Sequence, residues 1–248
     1  MTPTGPAELL ATWEAGLAQH DPGRSLLLHR AARPGAGTDA LLSMPVGERE
    51  ADLFALRRAL FGERMQVRVE CAACGEAMEF DLDATLFGAR TKTPDGPLRV
   101  EEGEWAIEFR LPTVADLAAA GAMPEPDQAR RLLMARCIVS ALRNGQAVPA
   151  ERLAALLPEV VQRRLAELAE QADPAADVTL NVACPECGEA TPAELDITSY
   201  LWTELDTWAR DLMLDVHLLA TAYGWSEPAI LALSPLRRRY YLELCADA

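Results

Sequence analysis

The sequence predicts an α+β protein that is predominantly α-helical. A small antiparallel β unit of zinc-ribbon type is interrupted by an all-helical insertion and followed by C-terminal helices. Three observations predict this. Two segments repeat each other: Val67-Arg68-Val69-Glu70-Cys71-Ala72-Ala73-Cys74-Gly75-Glu76-Ala77 and Leu180-Asn181-Val182-Ala183-Cys184-Pro185-Glu186-Cys187-Gly188-Glu189-Ala190, each a Cys-x-x-Cys-Gly knuckle entered by an alternating strand. Apolar spacing switches from period 3.6 to period 2 at the knuckles and back again between them. Near the end, Leu201, Leu205, Trp208, Leu212, Val216, Leu219 and Tyr223 step by four or three. They mark one face of a helix of about 25 residues, about 37 Å long.

The first region, residues 1–65, reads as helical. Leu9, Leu10, Trp13 and Leu17 have helical spacing. Residues 21–46 read as irregular, because Asp21-Pro22-Gly23 and Arg33-Pro34-Gly35-Ala36-Gly37 are turn signals. A helix follows over 48–61, with Leu53, Phe54, Leu56, Leu60 and Phe61 apolar, Arg49, Arg57 and Arg58 at its more exposed positions, and Gly62 as its stop. Residues 66–111 hold the first knuckle and a hairpin over 98–111. In that hairpin Trp105, Ile107, Phe109 and Leu111 share a face and Gly103 sits in the turn.

Residues 112–172 form the helical insertion. Thr113 caps a turn containing Val114 and Leu117. Leu132, Ala135, Val139 and Leu142 predict a helix over 127–143 ended by Asn144-Gly145, and Pro149 and Pro158 each fit the first position of a further helix. Residues 173–197 complete the β unit with the second knuckle, entered by a strand over 178–183. Residues 198–248 are the C-terminal helices, with Ser226 and Ser234 as caps.

The 248 residues, half of them apolar and five of them Trp, suffice for a real core. A formal charge of −15 and a pI of about 4.6 set the chain against phosphate backbones and anionic lipid, and point to protein partners. No apolar run approaches bilayer length. The start of the chain lacks a basic, apolar leader, so a cytoplasmic protein is expected. In a reducing compartment, paired Cys-x-x-Cys motifs point to metal.

Cys71, Cys74, Cys184 and Cys187 are therefore the candidate ligands of one structural Zn2+, which needs four deprotonated sulfurs in a tetrahedron. Redox Cys-x-x-Cys motifs open helices, whereas glycine and extended segments follow these. A catalytic zinc needs an open coordination position, and four thiolates leave none. Knuckles that hold no metal are the remaining alternative. Occupied, the site would contribute on the order of 10 kcal/mol to folding. Cys137 reads as a buried free thiol and Cys245 as packing near a helix end. His217 reads as partly buried beside the long helix's stripe. There is no His/Glu metal motif, nucleophile elbow, phosphate loop or dinucleotide fingerprint, so no catalytic residue, cofactor-binding residue or small-molecule substrate is assigned. Arg237-Arg238-Arg239 is the one compact basic cluster, and the net charge opposes its use on nucleic acid.

Several blocks together resemble a known family. These are Pro45-Val46-Gly47-Glu48-Arg49 with Leu53-Phe54-Ala55-Leu56-Arg57-Arg58-Ala59-Leu60-Phe61-Gly62, the two knuckles, Arg110-Leu111-Pro112-Thr113 with Asp116-Leu117, and the C-terminal run from Val216 through Tyr223-Gly224-Trp225 to Arg237-Arg238-Arg239-Tyr240-Tyr241-Leu242. In this order they resemble the T-even phage-type baseplate hub assembly chaperones, found with phage tails and phage-tail-like contractile injection systems. The resemblance implies a non-enzymatic assembly chaperone or minor baseplate component that binds hub or spike proteins, and implies no catalytic residues. The alternative reading is a zinc-ribbon nucleic-acid-binding or regulatory module. A metalloenzyme or thiol oxidoreductase stands third.

Overall fold

The computed structural model describes residues 5–88, 94, 96–149, 152–153 and 156–246. In chain order its elements are helices α1 (Pro6–Leu17), α2 (Asp21–Ala32), α3 (Thr38–Leu42) and α4 (Val46–Phe61), then strands β1 (Arg64–Glu70), β2 (Ala77–Asp83), β3 (Leu98–Glu102) and β4 (Trp105–Phe109). Helices α5 (Val114–Gly121) and α6 (Pro126–Cys137) lead to strands β5 (Ile138–Arg143) and β6 (Gln146–Ala147). Helix α7 (Glu159–Ala172), strands β7 (Thr179–Ala183) and β8 (Ala190–Glu194), and helices α8 (Ile197–Tyr223), α9 (Glu227–Leu231) and α10 (Pro235–Ala246) complete the chain. The architecture is mixed α+β, with helices dominant and all sheets small and antiparallel.

The chain divides into two compact units. One joins both ends, Met1–Ala31 and Thr198–Ala248; the other is Ala32–Ile197. In the terminal unit, α1 buries Leu9, Leu10 and Trp13, and α8 buries Leu201, Leu205, Ala209 and Leu212 at three- and four-residue steps and Leu219 two turns further on. Trp13 Nε1 donates to Asp206 at 2.8 Å. Gly16 is required where α1 meets α8, because a Cβ there would collide with the Trp202 ring. The Arg24 guanidinium covers that ring at 4.7 Å and donates to the Gly16 carbonyl at 3.1 Å. Trp225 stacks on Tyr223 at 4.7 Å and meets Tyr241 edge-on at 4.9 Å.

The Ala32–Ile197 unit is organised by a four-stranded sheet in the order β3-β4-β5-β6. Val100, Trp105, Ile107, Phe109 and Ala141 on one face pack with Leu153, Leu157 and with Val161 and Leu165 of α7. Beside this core, α4 carries the knuckle-bearing β1–β2 hairpin. Gly62 ends α4 at φ +88, and Arg57, only 2% exposed, donates to the carbonyls of Gly62 (2.8 Å) and Arg64 (2.7 Å) across the turn into β1. Arg58 donates to the carbonyls of Ala84 (3.0 Å) and Phe87 (3.2 Å), pinning the segment that leaves β2. Burying an arginine is tolerated here because it satisfies helix-end and turn carbonyls that would otherwise lack donors.

The α4 N-terminus is equally specific. The Gly47 N–H donates to Asp173 Oδ2 at 2.9 Å, placing a carboxylate at the helix N-terminus. Burial raises the Asp173 pKa; the Gly47 N–H opposes the rise and Glu48 adds to it. No side chain fits at Gly47, because a Cβ would run into that carboxylate. Gly47→Ala is expected to cost about 2–3 kcal/mol through displacement of Asp173, measured by denaturant unfolding. A change under about 0.5 kcal/mol would refute this account.

Several expectations are corrected by the fold. Residues 21–46 are not irregular: Asp21-Pro22-Gly23 opens α2, since proline suits a first helical turn, and Thr38–Leu42 forms α3. The helix expected over 127–143 stops at Cys137, and the insertion is not all-helical. Ile138–Arg143 pairs with β4, and Asn144-Gly145 (φ 49 and 76) is a two-residue hairpin turn, not a helix stop. Helical spacing misled because Ile138-Val139-Ser140-Ala141-Leu142 suits either period and β4 offers it strand partners.

The β unit is distributed over separate small antiparallel sheets. Each knuckle hairpin is its own two-stranded sheet, and the 98–111 hairpin joins β5. Arg57 is buried, not exposed; His217 is exposed, not partly buried. Pro158 is the cap of α7, not its first residue. The helix expected after Pro149 lies partly outside the described residues.

Candidate metal centre

The two knuckles are built alike. The β1–β2 ladder ends at Glu70↔Ala77 and the β7–β8 ladder at Ala183↔Ala190, leaving six-residue loops 71–76 and 184–189. In each loop the first cysteine's N–H donates to a glutamate carbonyl, Cys71 to Glu76 (2.8 Å) and Cys184 to Glu189 (2.9 Å). The glycine N–H donates back to the first cysteine's carbonyl, at 2.9 Å in both. Gly75 and Gly188 adopt φ +74 and +75, the left-handed region that closes the loop and favours glycine.

The fold brings all four predicted cysteines together, although they lie more than a hundred residues apart. Cys71 Sγ is 3.6 Å from Cys187 Sγ, and Cys74 Sγ is 3.7 Å from Cys184 Sγ. All four sulfurs lie within 4.8 Å of one another, and none is in a disulfide. The first cysteine of each knuckle is buried and the second exposed. Sulfurs about 2.3 Å from one tetrahedral ion would be about 3.8 Å apart, so this donor set fits a four-thiolate site. Met78, Val69 and Val182 pack against the two buried cysteines.

The thiol electrostatics favour a cation. The backbone N–H groups of Cys74 and Ala73 lower the Cys71 thiol to about 6. The N–H of Glu76 also favours a Cys74 thiolate, but the sulfurs of Cys187 and Cys71 outweigh it and push Cys74 up to about 12. Cys187 is raised as well: the Glu189 N–H favours its thiolate, but the Cys71 sulfur and burial prevail. One thiolate thus forms readily and resists the next. A divalent cation reverses that resistance by neutralising the accumulating charge.

Thr191 is a part of the centre that motif reading missed. Its Oγ1, on β8, accepts from the Ala72 N–H of the other knuckle at 3.3 Å and also supports the Cys71 thiolate. It is 5% exposed. Nothing in the sequence marks it, since its value depends on two hairpins meeting. The other tempting residues stay apart from this centre. Cys137 is buried beside α7, its thiol pushed up to about 11 by burial and by Asp116. Arg238 is buried and paired with Asp215 at 2.9 Å, and Arg239 pairs with Glu243 at 2.9 Å.

The centre and its surroundings define a class: a predominantly helical protein in which four clustered cysteines, compatible with a metal site, join two distant hairpins. A sequence model of the family described as T4 bacteriophage base plate protein matches residues 34–199. The chain belongs to that family. The match begins and ends within two residues of the compact unit Ala32–Ile197, and it includes both knuckles. The C-terminal run that also carried the resemblance lies outside it. No match is found among curated proteins or solved structures.

Proposed function

We propose that this protein is a non-enzymatic assembly chaperone or minor component of the baseplate of a contractile phage tail or contractile injection system. It acts in the cytoplasm on hub or spike proteins and carries one structural Zn2+ on Cys71, Cys74, Cys184 and Cys187. The observation that carries the reading is the baseplate family match, which coincides with a whole folding unit and not with a fragment of one. The sulfur-only donor set supports a structural role for the metal, since it leaves no position for a substrate. Among the described residues no helix is long and apolar enough to cross a membrane.

The nucleic-acid alternative has less support. Two of the three consecutive arginines are engaged by carboxylates, and the chain carries a net charge of −15. Deleting the chain from a tail-producing strain tests the proposal. Hub and spike proteins are expected to accumulate unassembled, with few complete baseplates in electron micrographs, and to co-purify with the restored chain. Normal particle yield without the chain would overturn it. DNA or RNA binding that weakens steeply with salt would favour the alternative.

A further inference from the structure

An apolar groove of about 390 Å³ runs between α6 and α7, floored by the end of β4 and the segment through Pro112. Its two walls are helix faces. On α6, Arg130, Leu133, Met134 and Cys137 line it at steps of three, one and three, and on α7 Gln162, Leu165, Ala166 and Ala169 do the same, with Glu170 next to them. Leu133 and Met134 remain partly exposed, so the apolar stripe of α6 is only partly covered within its own chain. The alanines on α7 keep that wall low enough for a backbone to approach.

The charges around the groove are unequal. Glu170 and Asp177 line it from α7 and the turn beyond, beside Asp173, whose buried carboxylate already accepts from the Gly47 N–H. Of the two arginines, Arg110 is already held by Asp116 at 2.5 Å, which leaves Arg130 as the cation. An occupant that buries apolar side chains here must therefore set positive charge beside the α7 side.

We propose that the groove between α6 and α7 takes an amphipathic helix of a partner protein, with leucine-like residues at three- and four-residue spacing flanked by Lys or Arg. Two helix faces with a floor form a seat for a third helix. The proposal rests on the reading of this chain as a baseplate assembly protein, because it names the surface that would hold the partner.

The test uses the full-length chain and two fluorescein-labelled synthetic helices with the same leucine stripe, one flanked by lysines and one by glutamates. Anisotropy is expected to show the lysine helix binding at least about tenfold tighter than the glutamate helix. Ala166→Trp, at an exposed position, fills the groove without changing charge and is expected to weaken binding at least about tenfold, as is the double variant Glu170→Lys/Asp177→Lys. Circular dichroism and thermal unfolding establish that both variants fold. Equal binding of the two helices, binding unaffected by A166W, or no binding would overturn the proposal. So would concentration-dependent dimerisation that A166W abolishes, which would assign the groove to a second copy. The deletion experiment stands apart: particle loss on deletion with full rescue by A166W would keep the assembly role and remove the groove from it.

Discussion

Replacing Cys184 with serine is expected to abolish stoichiometric zinc and to lower the unfolding midpoint by about 10–20 °C, equivalent to about 5 kcal/mol. Wild-type protein should contain one zinc per chain by elemental analysis, and strong chelators should reproduce the effect of the substitution. The size follows from what the site connects. The sulfur pairs Cys71–Cys187 and Cys74–Cys184 close loops of 116 and 110 residues in sequence separation. Outside the sulfurs, the two hairpins share a small apolar cluster around Met78, Val69 and Val182 and the hydrogen bond from the Ala72 N–H to Thr191. Two isolated two-stranded hairpins are marginal in water, so a bound metal would supply most of what holds them in register with each other.

The rest of the unit has its own core over β3–β5 and α7, so loss should be local before it is global. Hydrogen exchange should therefore accelerate first in residues 64–83 and 179–194. Metal-free wild-type protein that retains slow exchange in both hairpins, with all four thiols reduced, would refute the structural role assigned to the ion.

Asp116→Ala is the second large effect, expected to cost about 3 kcal/mol and about 6–12 °C. Asp116 is fully buried, and its carboxylate receives Arg110 (2.5 and 3.1 Å), Arg136 Nε (2.7 Å), the Thr113 N–H (2.9 Å) and the Thr113 hydroxyl (2.7 Å). One side chain thus fastens the end of β4, the capped start of α5 and the last turn of α6. The figure sits at the lower end for a broken buried ion pair, because both arginine side chains are 41% exposed and regain water when the carboxylate is lost.

Burial alone would raise the Asp116 carboxyl, but the two arginines and Thr113 hold it well below the usual carboxylate range. Its native pKa is therefore below its unfolded value. The stabilisation is fully present above the unfolded pKa, near about 4, and is lost as pH falls toward the native one. The stability difference between wild type and Asp116→Asn should stay constant from pH 5 to 7 and shrink in more acid solution. A constant difference down to pH 2, or an Asp116→Ala cost under about 0.5 kcal/mol, would sink this assignment.

The cysteines were legible because a knuckle writes its geometry into adjacent residues. Two ligands, the glycine with positive φ and the flanking alternation all fall within eleven positions of each copy. The Thr113 cap, α4 and its Gly62 stop, and the three-and-four stepping of α8 were legible for the same reason, since a helix satisfies its backbone within a few residues of itself. Ile138–Leu142 was not. A strand's hydrogen bonds go to a distant partner, so the decision between helix and strand there was made by β4 and by the Asn144-Gly145 turn.

Arg57 and Asp116 show the same limit for polar groups. Arg57 is expected at an exposed position and nothing in the sequence marks Asp116 as buried, yet each is buried where carbonyls, or guanidinium and hydroxyl donors, from separate segments converge. From the chain alone came the four sulfurs, the long C-terminal helix and the expectation of protein partners, because composition, spacing and local capping are short-range properties. The meeting of the two knuckles with Thr191 between them, the division of the β elements among the described residues into three sheets, and the groove between α6 and α7 came from folding, because each depends on which remote surfaces lie side by side once the core has closed.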